Sequence, residues 1–144
     1  MKKQIAVCLA ALVLVPFVPL RAAEKDKTPV QIDPAKLPPA ADKKDVTYTG
    51  DIKPVFDKSC VKCHGAEKPK GKLRLDNLEG ILKGGEDGKV LTPGKSTESV
   101  LIANIAHLGD PDDYMPPPKN KAGIQQLTKE EIGLVRAWID QGAK

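Results

Sequence analysis

The feature that most constrains this chain is the pentapeptide Cys60-Val61-Lys62-Cys63-His64. Two thiols about one helical turn apart can each form a thioether bond with a porphyrin vinyl group, and the adjacent imidazole can then ligate the iron. The C-x-x-C-H spacing therefore predicts one covalently bound haem c, attached through Cys60 and Cys63, with His64 as an axial ligand. The rest of the chain must then fold around this group.

The same residues allow three other interpretations. A redox dithiol would be expected in a βαβ setting, and no such pattern surrounds Cys60. A zinc site would need four ligands, and Cys60, Cys63, His64 and His107 are the only such set after the amino-terminal apolar segment. A disulfide between Cys60 and Cys63 would close a very short loop and add little stability. Haem attachment is the favoured interpretation.

The amino terminus has the layout of a secretory signal peptide. Lys2 and Lys3 precede an apolar run that extends from Ile5 to Leu20. We predict a signal peptide over residues 1–23 and hence a periplasmic or otherwise exported protein, which would meet the membrane only if the peptide stays uncleaved. Removing the three cations of this segment from the formal net charge of +4 leaves +1. With no basic run between aromatic residues, this charge does not indicate nucleic-acid binding.

Residues 24–46 predict a linker. The segment is rich in lysine and proline, and its four prolines interrupt any helical or strand periodicity: Pro29, Pro34, Pro38 and Pro39. Such a composition favours an extended, disordered tether without chemistry of its own.

The spacing of apolar residues over 47–144 predicts a small all-α domain. A first helix beginning at Thr49 or Asp51 would tolerate Pro54 in its first turn and would place Cys60 on its apolar face. The other members of that face are Ile52, Val55 and Phe56. This helix would deliver the two thiols to the haem.

Capping residues predict three further helices. Asn77 can open a short helix, and Ser96 can open one with Leu101, Ile102, Ile105 and Leu108 on its apolar face. Thr128 and Glu131 form a capping box at the start of the last helix. The apolar face of that helix comprises Ile132, Val135, Trp138 and Ile139.

The second axial ligand has two candidates. Met115 is the only methionine left after export and lies in a proline-rich loop, whereas His107 is the only other histidine. A thioether would raise the haem potential and suit electron transfer, so Met115 is preferred over His107 or an open site. Arg74 could pair with a haem propionate. Trp138 is expected to pack in the core, against the first helix or the haem edge, and its indole N–H could also reach a propionate.

Several short motifs match one known family. They are Asp51-Ile52, Cys60-Val61-Lys62-Cys63-His64-Gly65, Leu73-Arg74-Leu75-Asp76, Gly84-Gly85, Pro93-Gly94, Ser99-Val100-Leu101, Met115-Pro116-Pro117 and Trp138-Ile139-Asp140-Gln141-Gly142-Ala143. Together they resemble the planctomycete-type cytochrome c domain over residues 47–144. The resemblance implies a class I-like fold with the first and last helices packed across each other and the haem held between His64 and Met115. It also implies electron carriage and not substrate turnover, hence no enzyme.

The sequence thus predicts an exported monohaem cytochrome that carries single electrons between redox proteins and is compatible with a monomer. The alternative is a haem-based sensor or ligand-binding module with a weak or open sixth iron position. Lysines near the motif could steer an acidic redox partner: Lys53, Lys58, Lys62, Lys68, Lys70 and Lys72.

Overall fold

The computed structural model describes residues 30–144, and the part of the chain that it describes contains helices and turns but no β-strand. The α-helices are α1 (Lys53–Ser59), α2 (Val61–His64), α3 (Leu78–Lys83), α4 (Val100–Ile105) and α5 (Lys129–Asp140). A π-helical turn (Tyr48–Ile52) leads into α1, and 3₁₀ turns occupy Pro34–Lys36, Lys70–Lys72, Ser96–Glu98 and Pro111–Asp113. The predicted all-α class is confirmed for these residues.

The predicted signal peptide over residues 1–23 lies outside the described residues. Within residues 30–144, no helix combines the length and the apolar character that crossing a membrane requires.

Two helix starts follow the predicted capping chemistry. The Asn77 side chain accepts from the Gly80 N–H at 2.7 Å at the start of α3. At α5, Thr128 Oγ1 accepts from the Glu131 N–H at 3.2 Å, and the Glu131 carboxylate accepts from the Thr128 N–H at 2.8 Å. Both predictions are confirmed. They could be made from the sequence because each cap involves only residues three positions apart.

Ser96 does not cap α4 as predicted. Its hydroxyl bonds to Asp140 Oδ2 at 3.0 Å, on the far end of α5, and α4 begins only at Val100. The Ser96 hydroxyl, which the local pattern assigns to the helix cap, therefore bonds to a side chain 44 positions away.

An aromatic cluster joins the first helical segment to α5. Trp138 has no solvent exposure, and its ring lies 6.1 Å from Tyr48 and 6.4 Å, edge-on, from Phe56 (centroid distances). The Tyr48 hydroxyl donates to the Leu75 carbonyl at 3.0 Å, which ties the loop after α2 to the same cluster. These three aromatic residues join the two segments because all of them lie where the first helical segment packs against α5.

Residues 30–46 do not form the disordered tether that their composition predicts. Ile32, Leu37 and Val46 are buried, and the Ala41 N–H donates to the Gly133 carbonyl at 2.9 Å. The prediction is wrong for this segment because an extended, proline-rich chain can be held by main-chain hydrogen bonds and a few apolar anchors. The packed unit therefore begins before residue 47.

Candidate functional site

A cavity of about 560 Å³ lies against α2 and α4. Most of its wall is apolar, with side chains contributed by Leu73, Leu75, Val90, Leu101 and Ile105. Of the six site residues predicted from the sequence, four line this cavity: Cys60, Cys63, His64 and Met115. The other two, Arg74 and Trp138, are not among its lining residues.

The junction of α1 and α2 delivers the thiols and the imidazole. The Cys60 N–H donates to the Phe56 carbonyl at 2.7 Å, and the Cys60 carbonyl accepts from both Cys63 (3.0 Å) and His64 (2.9 Å). The motif is thus a single helical turn, as its spacing predicts. Gly65 ends this turn, and a Cβ there would lie 2.7 Å from the Val61 carbonyl oxygen, so a larger residue would displace the backbone beside the motif.

Cys60 and Cys63 are free thiols, with Cys60 buried and Cys63 half-buried. Burial raises the pKa of Cys60 to about 12, and the neighbouring Cys63 and Glu131 charges add to the effect. A redox-active dithiol needs a thiolate stabilised by positive surroundings, and Cys60 has the opposite environment. The geometry thus disfavours the dithiol interpretation.

His64 has the tautomer that a metal ligand requires. Its Nδ1 lies 3.2 Å from the Leu73 carbonyl oxygen. A carbonyl only accepts, so Nδ1 carries the hydrogen and Nε2 keeps its lone pair. Burial lowers the pKa of His64, which favours the neutral ring. A neutral imidazole oriented through its other nitrogen is the usual arrangement of a ligating histidine.

Met115 reaches the cavity from the loop that follows α4. Its N–H donates to the Asn104 carbonyl at 3.0 Å, and its side chain lines the cavity. His107, the other candidate for the sixth ligand, is not a lining residue, and its Nε2 donates to the Pro116 carbonyl at 3.1 Å. Of the two candidates, the geometry therefore favours Met115, and it also leaves a four-ligand zinc site without His107.

Arg74 and Trp138 have other partners. The Arg74 guanidinium donates to both carboxylate oxygens of Asp76, at 2.9 and 2.6 Å. The Trp138 indole N–H donates to the Lys144 carbonyl at 3.0 Å. Neither donor is directed to the cavity, so the predicted propionate contacts find no support in the structure. The alternation Leu73-Arg74-Leu75 could have indicated this, because it places Arg74 on the face opposite the two cavity leucines.

Sequence reasoning missed most of the charged rim of the cavity. Lys89, Lys119 and Lys121 line it together with Lys70. Lys89, Lys119 and Lys121 lie in loops that are far from the C-x-x-C-H motif in the sequence, and no periodic pattern relates these three lysines to it.

The residues present fit a haem. The donor set comprises two unpaired thiols, a neutral imidazole with a free Nε2 and a thioether, and all four side chains line one largely apolar cavity. The volume of the cavity is within the range of cofactor pockets. Cys60 and Cys63 would hold the porphyrin, and His64 and Met115 would ligate the iron.

Comparison with known proteins gives one match. No curated protein and no solved structure matches the chain. Residues 60–119 match the family model described as Planctomycete cytochrome C. The matched segment contains both thiols of the motif, His64 and Met115. Cytochromes c are haem proteins with a role in electron transfer, which agrees with the donor set of the cavity. The family resemblance predicted from the motifs is thereby confirmed over residues 60–119.

Proposed function

We propose that this protein is an exported monohaem c-type cytochrome that carries single electrons between redox proteins. One observation carries the proposal: Cys60, Cys63, His64 and Met115, which are 55 positions apart at the extremes, line the same cavity. Thiols, imidazole and thioether together form the donor set of a haem c with two axial ligands.

Each part of the chain has a defined task in this function. Bound haem would supply a one-electron iron couple. The Leu73 carbonyl fixes the ring of His64 through Nδ1, and the Asn104 carbonyl fixes the backbone of Met115. The cavity leucines exclude water, and a thioether ligand raises the potential relative to a second imidazole.

We propose no enzymatic turnover. If His64 and Met115 both ligated the iron of a bound haem, no coordination position would stay open for a substrate. The side chains of Leu73, Leu75, Val90, Leu101 and Ile105 make much of the remaining wall apolar, which suits an electron carrier.

A redox partner would approach the cavity rim. Two of the lysines expected to steer it, Lys53 and Lys58, form ion pairs with Asp57 and Glu131 at 2.7 Å. The rim is mixed in charge because Glu86, Asp87 and Asp113 also line it. The stretch from Pro116 to Ala122, in contrast, holds two lysines and no carboxylate, and Lys62 Nζ donates to its Ala122 carbonyl at 3.3 Å. We propose this stretch as the surface for an acidic partner.

The export part of the proposal rests on residues 1–23 of the sequence. Expression in a bacterium that matures c-type cytochromes should yield periplasmic protein whose amino terminus lies close to Glu24. Recovery of the haem-loaded chain with Met1 intact would contradict the cleavage and would indicate a membrane-attached form.

The central test is an absorption spectrum of the same material in both oxidation states. We expect haem that resists acid-acetone extraction, together with the weak red band of methionine-ligated ferric haem. Met115→Leu conserves side-chain volume but lacks the sulfur, so it should abolish this band. A joint Cys60→Ala and Cys63→Ala variant should bind no haem covalently.

Two results would redirect the proposal. Carbon monoxide binding to the ferrous protein without denaturant would show an accessible sixth position and favour the sensor alternative. Absence of covalent haem from correctly exported protein would overturn the function altogether.

A further inference from the structure

His107 contacts both neighbours of Met115. Its ring stacks on Tyr114 with a centroid distance of 4.6 Å and an interplanar angle of 10°. Its Nε2 donates to the carbonyl of Pro116 at 3.1 Å, since the carbonyl can only accept. One side chain thus holds the residue before Met115 and the residue after it.

The contacts of His107 with Tyr114 and Pro116 form a clasp around Met115, and the backbone at the end of α4 completes it. The Asn104 carbonyl accepts from the Met115 N–H at 3.0 Å and from the His107 N–H at 3.3 Å. His107 itself has a left-handed backbone, with φ of 54°. Such a conformation costs free energy in a non-glycine residue and persists where its surroundings fix it, although histidine tolerates it better than most residues.

We propose that His107 is a positioning residue that holds Met115 ready for the iron. This inference rests on the proposed function, because it assigns a role to the loop that would supply the sixth ligand. A thioether on a mobile loop would lose conformational entropy each time it bound the metal, whereas a loop already fixed at three points loses little. His107, the other candidate for the sixth ligand, thus holds Met115 in place instead of ligating the iron itself.

The experiment measures how easily an added ligand displaces Met115. The ferric haem protein is titrated with imidazole while the weak red band of the methionine-ligated form is followed. We expect His107→Ala to bind imidazole about tenfold more tightly than the unaltered protein, because one hydrogen bond and one ring contact no longer favour the ligated loop. Its red band should weaken in the absence of imidazole.

Three further variants separate the clasp from other effects. His107→Gly relieves the left-handed backbone but removes the ring, so it should resemble His107→Ala. His107→Gln keeps an N–H donor and should recover part of the original resistance to imidazole. Gly133→Ala disturbs the contact of α5 with Pro39, which none of the contacts around His107 involves, and should lower the unfolding midpoint with little change in imidazole affinity.

The possible failures are distinguishable. If the unaltered protein has covalent haem and the red band, but His107→Ala and His107→Gly both keep its imidazole affinity, the inference is wrong and the proposed function stands. A His107→Gly variant that behaves like the unaltered protein would assign the effect of alanine to backbone strain and would also overturn the inference. If the unaltered protein lacks the red band, the proposed methionine ligation itself fails, and with it any role for the clasp.

Discussion

Ser59 is the one buried side-chain oxygen without a hydrogen-bond partner among residues 30–144. It ends α1 directly before Cys60 and is 3% exposed. An unsatisfied buried hydroxyl costs about 1–3 kcal/mol, and alanine is also the better helix former. We therefore expect Ser59→Ala to raise the free energy of unfolding by about 1 kcal/mol, measured by urea denaturation of the haem protein.

Ser99 provides the matched control. It is equally buried, but its hydroxyl donates to the Lys95 carbonyl at 2.8 Å and accepts from the Thr92 N–H at 3.0 Å. Ser99→Ala should lower the free energy of unfolding by about 1–3 kcal/mol, because the Thr92 N–H loses its acceptor and the Lys95 carbonyl keeps only the Glu98 N–H as a donor. Equal destabilisation by both substitutions would show that the Ser59 hydroxyl is satisfied.

Tyr48 gives the fold a sensitivity to alkaline pH. Burial raises the pKa of Tyr48 to about 12, with smaller contributions from nearby Asp57, Asp76 and Cys60. A folded-state pKa above the unfolded one contributes stability that is complete below the unfolded pKa and is lost as the pH rises through the folded value. This contribution should therefore fade between about pH 10 and 12.

Tyr48→Phe tests this dependence. At neutral pH it should lower the free energy of unfolding by about 1 kcal/mol, because the Leu75 carbonyl loses its donor. Above pH 10 the difference from the unaltered protein should shrink and then reverse, since phenylalanine cannot ionise. Urea denaturation curves at a series of pH values measure the difference, and a gap that stays constant up to pH 12 would contradict the predicted linkage.

At the scale of the elements, α5 packs closely against the amino-terminal segment at Gly133. A Cβ at Gly133 would lie 2.5 Å from the Pro39 carbonyl oxygen. Alanine would gain about 1 kcal/mol of helix propensity, but overpacking against backbone costs about 1–3 kcal/mol. We expect Gly133→Ala to be destabilising overall and to expose the Ala41 N–H, which donates to the Gly133 carbonyl.

Hydrogen exchange measures this local effect. The Ala41 amide should exchange faster in Gly133→Ala, whereas the Gly84 amide, which donates to the carbonyls of Gly80 and Ile81 in α3, should keep its rate. Equal protection of Ala41 in both proteins would mean that the segment adjusts without detaching.

The elements also show which parts of the fold a sequence can predict. The start of α5 was predictable because the capping box joins residues three positions apart. The turn that holds Cys60, Cys63 and His64 was predictable because the C-x-x-C-H spacing is that of a haem-attachment motif. The packing of residues 30–46 and the diversion of Ser96 to Asp140 were not predictable, since both depend on partners far away in the chain. In the candidate site, Met115 could be found by elimination. Arg74 was assigned by its charge, although its alternation with two leucines places it away from the cavity.

At the scale of the whole molecule, the proposed haem explains how such short helices persist. Among the described helices only α5, with 12 residues, exceeds seven residues. Isolated helices of seven residues or fewer are marginal in water, so α1 to α4 depend on tertiary packing. Leu101 and Ile105 of α4 and the two leucines after α2 line a cavity of about 560 Å³, and a bound haem would add packing partners on that side.

Removing the haem should therefore remove cooperative folding and not merely redox activity. The joint Cys60→Ala and Cys63→Ala variant, purified without haem, should show a broad thermal transition by circular dichroism, weak near-ultraviolet signals from Trp138 and binding of a hydrophobic dye, all of which indicate unfixed side-chain packing. The haem-loaded protein, unfolded under the same conditions, is the reference and should melt sharply. A sharp melt of the haem-free variant, with the near-ultraviolet signal intact, would show that the aromatic cluster around Trp138 suffices to hold the fold. The haem would then bind in a cavity that is already formed without it and would not be needed to complete the core.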